Sequence, residues 1–586
     1  DKRGTLTESA FVGRRHELRA IGDEIQSAKA GAGGLVLLEG ESGGGKTRLL
    51  AETAQGAALE GFWILRGQAT NEVAWQPLRM LDGIVEGFLN ACRAQPDLAK
   101  RVRQRLGDYV DSVTAALPGT AEVLGGVGEV IQGPEALGET RTIRAVARFL
   151  DALATRDRPV LIILDDCQWG GELSVKLIHY WQSTNSSASG DACHVLIIAA
   201  FRGEEVPGDH LLRKAAASRH LRLAALDESE IHDLLESMAG PLPEAALSVI
   251  IRLAEGSPFM ASALLRGLVE TGALVGHSDG WQVNAVAMAD VSSSSRAAAF
   301  LTRRLELLPS ETVELLTVGA VLGKEFELET AFHLAAQSPS HAIAALDEAR
   351  QRRLVWLRPD GTRCVFIHDK IRAALLGRIS GQQRRNIHHK AAVYLRDHSS
   401  ECVSDLAYHF DAAGDSRSAL PYALQSAEQA RALHVLEIAE QQYRIAQRGA
   451  DGADEHTHFR IAEGLGDVLM LRGRYDAAGE LFEQAKTLAA GALAEAHVHS
   501  KLGELTFNRG AMDAAIDHFE QAIRLLGEFV PQTQWLYPFL AIREVGVQFL
   551  HTLFPRLFLH RIQRKPNESE SLMLRLYSDL GHGCWY

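Results

Sequence analysis

The sequence predicts a multidomain chain of mixed class, an α/β region built on a parallel sheet followed by all-α modules that end in a helical repeat array. Three observations predict it. Residues from about Ala10 to Leu226 alternate short β-type runs with helical ones, a glycine-rich loop sits early in that alternation, and beyond about Val403 helical segments recur at fixed spacing. At 586 residues the chain is too long for one core, and domains of roughly 100 to 200 residues give about three to five units.

Hydrophobic content of 46% and charged content of 23% are ordinary for folded proteins and exclude wholesale disorder. The longest apolar runs, Val160 to Leu164 and Val195 to Phe201, fall far short of the roughly 18 to 20 residues that span a bilayer, and they read as buried parallel strands. The opening Asp1-Lys2-Arg3-Gly4-Thr5 has no apolar signal segment behind it, so a cytoplasmic chain with no membrane contact is expected, starting at an internal boundary. Six scattered cysteines, Cys92, Cys167, Cys193, Cys364, Cys402 and Cys584, lack the spacing of a zinc site or disulfide framework. His388-His389 likewise lacks partner ligands at metal spacing. A net charge of -13 disfavours a general nucleic-acid binder while leaving room for one local basic face.

The expected P-loop domain covers residues 1–225, with strands at Leu35 to Glu39, Phe62 to Gly67, Val160 to Asp165, Val195 to Phe201 and His220 to Leu223. The helix-rich stretch between Pro77 and Asp157, broken at Pro118-Gly119 and Gly125-Gly126, reads as an insertion over about 78–157. Gly40-Glu41-Ser42-Gly43-Gly44-Gly45-Lys46-Thr47 matches G-x-x-x-x-G-K-[ST] and has the strand before it and the helix after it that the motif requires. Glycines allow successive backbone N–H groups to turn toward phosphate oxygens at a helix N-terminus. Gly40, Gly43, Gly44 and Gly45 would form that loop, Lys46 would reach the β and γ phosphates, and Thr47 would help to hold Mg²⁺. ATP or ADP with Mg²⁺ is therefore the expected ligand.

Val160 to Leu164 runs into Asp165-Asp166. A strand adjacent to the P-loop strand would put Asp165 near the metal and Asp166 where it could orient or deprotonate a water; the alternative is an acidic strand end. Arg202 closes the next apolar run, at the strand end where open α/β sheets bind ligands, and would sense γ-phosphate charge unless it is a plain surface arginine.

After Leu226 the pattern turns helical. Asp227 and Glu230 form a capping box opening a helix to Met238, Pro243 opens a second, and Gly256-Ser257-Pro258 precedes a third that ends near Gly272, a small helical lid over 226–290. Ser292 to Ser295 reads as a polar linker, and Phe300 to Leu305 resumes helical periodicity. The region 296–398 then combines several helices with one hairpin, Leu354 to Leu357 and Cys364 to Ile367 joined through Pro359-Asp360-Gly361, which suggests a winged-helix domain.

The region 403–586 is expected to be a TPR-like α-solenoid. Gly466, Gly473, Ala477, Phe482 and Ala485 recur 37 residues later as Gly503, Gly510, Ala514, Phe519 and Ala522, with small residues at the helix crossing and a Phe on the facing helix; two ordinary amphipathic hairpins are the alternative. A looser unit lies at Leu406 to Ala430 around Gly414 and Ala419. Repeat arrays need a polar end cap, yet the chain stops at Gly583-Cys584-Trp585-Tyr586 after the apolar stretch Leu572 to Leu580, so further repeats and an output domain are expected outside it.

Together these residues resemble the AAA+-related ATPase domains of STAND-class signal-transduction NTPases. Phe11-Val12-Gly13-Arg14-Arg15-His16-Glu17-Leu18, LIILDDCQW and AAFRGEEV carry the likeness; GSPFMASALLRGLVETGAL is similar to the class's G-x-P helical lid, and CVFIHDKIRAALL to its winged-helix His-Asp motif. The resemblance implies that Val12, Gly13 and Arg14 lie near the adenine, that Pro258 packs on the base, and that His368 approaches the β phosphate of ADP. Ser257 stands where the class often has Asn, and Gly170-Gly171 replace its small acidic turn. By this reading the chain is a slow ATPase acting as a switch, with a protein or small-molecule inducer on the repeats and self-association in the ATP state. Two alternatives stand beside it. One is a DNA-binding activator using Arg350, Arg352, Arg353 and Arg363, although the acidic overall charge makes DNA binding by this chain unlikely; the other is a scaffold with a structural nucleotide.

Overall fold

The computed structural model describes residues 6–69, 78–126, 138–186, 192–277, 280–292, 304–358, 361–398, 402–530, 537–554 and 567–585. The chain forms two compact units, residues 1–415 with 432–437, and residues 416–431 with 438–586. Among the described residues no helix is long and apolar enough to cross a membrane.

The first unit is built on five parallel strands, β1 (Ala32–Gly40), β2 (Trp63–Gln68), β3 (Val160–Asp165), β4 (Cys193–Arg202) and β5 (Arg219–Leu223), in the order β2-β3-β4-β1-β5. Each expected strand is present, and β3 has the expected limits. One expectation is corrected: β3 is not adjacent to the P-loop strand β1, because β4 lies between them and pairs with both. An apolar run marks a buried strand but carries no label of its neighbour, so strand order is a tertiary property.

Leu35 to Leu38 and Val160 to Leu164 are almost wholly inaccessible, as strands covered on both faces must be. Helices Arg15–Lys29 and Lys46–Leu59 cover one face, where Ile21, Ile25, Leu49 and Leu50 pack on Val36, Leu38, Ile163 and Ile198. Between β2 and β3 lie the helices Asp82–Ala94, Pro96–Leu106, Val110–Ala116, Ala121–Leu124 and Gly138–Leu153, with Pro118 opening a single 3₁₀ turn and Gly125 (φ 57°) ending a helix. Pro77 lies outside the described residues.

The three expected lid helices are Glu228–Ala239, Glu244–Ala254 and Pro258–Glu270. In the capping box, an Asp227 carboxylate oxygen accepts from Glu230 N–H at 2.8 Å and the Glu230 carboxylate accepts from Asp227 N–H at 3.0 Å. An unexpected hairpin follows, β6 (Leu274–His277) with β7 (Gly280–Val283), anchored where Trp281 Nε1 donates to the Ala239 carbonyl at 2.8 Å. Four-residue strands are too short to show alternation clearly. A helix Ala285–Ser292 comes next; the linker beyond Ser292 and the residues Phe300 to Arg303 lie outside the described residues.

Residues 304–398 contain the helices Ser310–Leu322, Leu328–Leu334, Pro339–Gln351, Asp369–Leu376 and Gly381–His398, with the expected hairpin present as β9 (Val355–Leu357) and β10 (Arg363–Phe366). Its turn residues Pro359 and Asp360 lie outside the described residues. A third strand, β8 (Glu325–Glu327), pairs with the other edge of β10. The Phe326 ring on β8 sits over Gly319, where an added Cβ would come within 2.5 Å, so the glycine lets helix and sheet close.

The second unit is helical throughout its described residues, including Leu436–Gly449 (but for its start), Glu455–Leu471, Tyr475–Leu488, Ala492–Asn508, Met512–Leu525, Tyr537–Leu553 and Glu568–Trp585. Phe482 packs on Gly466 and Phe519 on Gly503, where Cβ atoms would lie 2.8 and 2.5 Å from the rings. Gly473 and Gly510 take φ of 76° and 81° in the turns between paired helices. Ala485 and Ala522 are fully buried; Ala477 and Ala514 are only half-buried, and the crossing positions belong instead to Ala478 and Ala515. In the looser unit, helix Val403–Ala412 ends before Gly414 (φ 83°), and Ala419 is buried in helix Ser416–Ala432.

Candidate nucleotide site

The P-loop turns from β1 into helix Lys46–Leu59 through Gly43 (φ 83°) and Gly45 (φ 92°), backbone states that side chains with a Cβ rarely adopt. Lys46 is buried and its Nζ donates to the Gly40 and Glu41 carbonyls at 2.7 and 2.9 Å. Burial depresses its pKa, while the Asp165 and Asp166 carboxylates work against that shift. Thr47 Oγ1 donates to Asp165 Oδ2 at 2.9 Å, which places hydroxyl and carboxylate side by side although β3 is two strands from β1.

The two aspartates differ in environment. Burial and the neighbouring Asp166 carboxylate push Asp165 up, whereas Asp166, despite its own burial, is held below the usual range by Lys324 and Arg202. Asp166 takes a left-handed backbone (φ 55°) just past the end of β3. Its Oδ2 accepts from Lys324 Nζ at 2.7 Å and Gln68 Nε2 at 3.3 Å; its Oδ1 accepts from Gln168 Nε2 at 3.1 Å and lies 3.6 Å from the Arg202 guanidinium. Arg202 is also paired with Glu205 at 2.9 Å and with Asp369, and its guanidinium stands 4.5 Å from the centre of the Trp169 ring.

Three helix N-termini converge on Gly43. The first belongs to the P-loop helix. At the second, Ser257 Oγ and Phe259 N–H both donate to the Gly43 carbonyl, at 3.2 and 3.4 Å. At the third, His368 caps helix Asp369–Leu376 by accepting from Lys370 N–H through Nδ1 at 3.1 Å, which leaves Nε2 as the N–H of the neutral ring. A Cβ placed on Gly43 would lie 3.1 Å from that Nε2, so the imidazole points at the loop. The ring stacks on Phe259 at 3.8 Å, and burial lowers its pKa to about 3. Convergent helix N-termini with Lys46, Arg202 and Lys324 suit an anion, and the cradle with Thr47 and Asp165 fits the phosphates of a nucleotide and a hard cation.

These groups face one cavity of about 530 Å³. Its wall includes Val12, Arg14, Gly43, Gly44, Gly45, Lys46, Thr47, Asp166, Arg202, Pro258 and His368, all expected from the sequence. Gly13, Gly40 and Asp165 stand behind the wall: a Cβ on Gly13 would come within 2.3 Å of Glu230, and Asp165 is screened by Thr47. Arg14 Nη2 donates to the Gly44 carbonyl at 3.4 Å and to that of Ala224, tying the N-terminal segment to the loop. Phe11, Val12, Leu226, Leu234 and Phe259 form an apolar sector suited to a base.

Lys324, Gln68 and Trp356 carry no signal in the sequence, Lys324 being a single lysine after a glycine. Asp369 belongs to the His-Asp motif, and its pairing with Arg202 gives it a place in the site. Arg350, Arg352 and Arg353 pair with Asp347, Glu348 and Glu8, and Arg363 shares Glu325 with Arg358, so most of this cluster is paired with carboxylates.

The family described as AAA ATPase domain matches residues 10–198, and that described as tetratricopeptide repeat matches residues 458–528. No curated protein matches the sequence. Solved structures similar to the chain include a Signal Transduction ATPase with Numerous Domains (STAND) protein with a tetratricopeptide repeat sensor from Pyrococcus horikoshii, at 13% identity over 90% of this chain, TM-score 0.46. This chain spans 66% of that protein's length. Cdc6p from Pyrobaculum aerophilum is 12% identical over 64% of this chain and 98% of its own, TM-score 0.29. The Aeropyrum pernix Orc1 protein in complex with DNA is 14% identical over 63% of this chain and 93% of its own, TM-score 0.30. The chain thus joins an AAA ATPase domain to tetratricopeptide repeats, the combination that its resemblance to the STAND class implies.

Proposed function

We propose that the chain is an ATP- and ADP-dependent signalling switch of the STAND class, with slow hydrolysis that resets a closed state. The observation that carries this reading is the origin of the cavity wall. Lys46, Asp166 and Arg202 come from the α/β core, Pro258 and Phe259 from the lid helices, and Lys324, Trp356, His368 and Asp369 from residues 304–398, the region read as a winged helix. A nucleotide held by all three segments changes the balance between closed and open forms by its differential affinity, and moving that balance from about 1:99 to 99:1 takes about 5.5 kcal/mol.

In this reading Lys46 and the P-loop amides hold the phosphates, Thr47 and Asp165 would hold Mg²⁺, Asp166 orients or deprotonates the attacking water, and Arg202 senses γ-phosphate charge. Bound Mg²⁺ would neutralise phosphate oxygens. The neutral His368 offers Nε2–H toward the loop, and Val12, Arg14 and Pro258 line the base and sugar end. The repeats carry the inducer or partner site, and the open ATP form self-associates to drive an output domain.

Limited proteolysis and light scattering with ADP and with a non-hydrolysable ATP analogue test the switch. The two nucleotides should give different protection patterns and different oligomeric states; identical behaviour would reduce the site to a structural nucleotide and support the scaffold.

A further inference from the structure

Asp166 accepts three hydrogen bonds from protein side chains, two of them on Oδ2. A carboxylate has about four lone-pair positions, and here Oδ2 accepts from Lys324 and Gln68 while Oδ1 accepts from Gln168 and faces Arg202. The side chain is 8% exposed. In this arrangement Oδ2 has no acceptor position left for a water that would attack a phosphate or for that water's proton, and the remaining position on Oδ1 faces the Arg202 guanidinium at 3.6 Å.

The four partners have different origins. Gln68, Gln168 and Arg202 stand at or just beyond the ends of strands in the same parallel sheet as Asp166, and they move with it. Lys324 comes from the turn between helix Ser310–Leu322 and β8, and its carbonyl accepts from Phe366 N–H on β10 at 2.9 Å. β10 leads through Ile367 to His368, so the lysine and the histidine are carried by one small sheet. Withdrawing that sheet from the core removes one donor from Asp166 and leaves the other two and the Arg202 contact in place. The ammonium also lies 5.4 Å from the Trp169 ring, which steadies it over the site.

We infer that Lys324 is an inhibitory positioning residue: it occupies Asp166 Oδ2, so that a nucleotide can be bound while water cannot be activated. Hydrolysis starts when the β8–β10 sheet draws the lysine away. Water then adds to the γ phosphorus as the bond to the β,γ-bridging oxygen breaks, that oxygen leaves with the electron pair as part of ADP, and Asp166 takes the water's proton. This deepens the switch reading and rests on Asp166 being the base.

Single-turnover ATP hydrolysis and binding of a fluorescent ATP analogue by the full chain test the inference. At saturating ATP, Lys324→Met should hydrolyse about 10-fold faster or more, a part of the range a general base supplies, with analogue binding weakened by loss of a cavity-lining cation but still measurable. Lys324→Arg, which restores a cation, should return the rate toward that of the parent. Asp166→Asn added to Lys324→Met should remove the gain. If Lys324→Met does not fold, Lys324→Gln takes its place and should also hydrolyse faster. Analogue binding by a variant that hydrolyses no faster than the parent overturns the latch alone; absence of binding by the parent overturns both the latch and the nucleotide reading.

Discussion

The nucleotide cavity and the helical repeats both pair charge, and they pair it by different rules. In the cavity, Asp166 meets Lys324 from 158 residues away and Arg202 meets Asp369 from 167 residues away. In the repeats, Arg460 meets Glu428 and Arg431 meets Glu463 across 32 residues, Arg509 meets Asp476 across 33, and Arg474 meets Glu440 across 34. A separation close to one repeat means that each such pair braces a unit against its neighbour, repeating one local solution along the array. The cavity pairs join segments with no periodic relation, so they stand or fall with one arrangement of the core, the lid and residues 304–398. Charge pairing in the repeats is local scaffolding, while in the cavity it joins segments distant in sequence.

Replacing Lys46 with Ala should break the cavity side of this contrast most severely, lowering single-turnover hydrolysis by about 10²- to 10³-fold. It should also abolish the difference in proteolysis between ADP and ATP analogue, with urea unfolding of the repeats unchanged; a variant that bound, hydrolysed and switched like the parent would remove the nucleotide from the centre of the account. On the repeat side, Phe482→Ala should cost about 3 to 5 kcal/mol in urea denaturation, since the ring is fully buried against Gly466. A smaller and more discriminating pair is Lys501→Met against Arg460→Met. Lys501 Nζ lies 2.7 Å from Asp467 Oδ1 with both side chains under a tenth exposed; Arg431 remains 3.5 Å from Asp467 Oδ2, so removing the lysine should cost about 2 kcal/mol, less than for a wholly uncompensated buried charge. The Arg460–Glu428 pair is more than a third exposed on both sides and should cost about 1 kcal/mol or less. Equal losses in the two variants would show that burial does not set the value of these pairs.

The smallest effect concerns acid. His388 and His409 face each other through Nδ1 at 3.0 Å, and burial lowers them to about 4 and about 3 from an ordinary 6.5. Arg384 and Arg372 add to the shift of His388, and His388 to that of His409. The unfolded chain therefore binds protons between about pH 6.5 and 4 that the folded chain refuses, so the stabilisation is complete above that window and falls as the pH drops through it. The melting temperature should decline from pH 7 to pH 5, and His409→Gln should flatten the decline. An unchanged slope would place the acid sensitivity elsewhere.

Much of this was legible because the relevant information is local. The P-loop is contiguous, the limits of β3 follow from an apolar run closed by two carboxylates, and the capping box needs only Asp227 and Glu230. Features decided by tertiary contact were not legible. The order of β4 and β3 depends on which edge each crossover reaches, β8 is three residues long, and Lys324 is recognisable only once β10 has carried it to Asp166. The repeat pattern was read correctly at Phe482 and Phe519 but one residue early at Ala477 and Ala514, because two adjacent alanines share the motif and helical twist, not composition, selects the inner one.

The left-handed backbone at Asp166 also limits how this site can vary over time. Asp and Asn tolerate that conformation far better than longer or β-branched residues do. An exchange to Asn preserves the turn into Cys167 while silencing the carboxylate, whereas an exchange to Glu keeps the charge but strains the chain and carries the oxygens past Gln168 and Lys324. Under the function proposed above, a lineage that lost hydrolysis while keeping nucleotide binding would find Asn the least disruptive step.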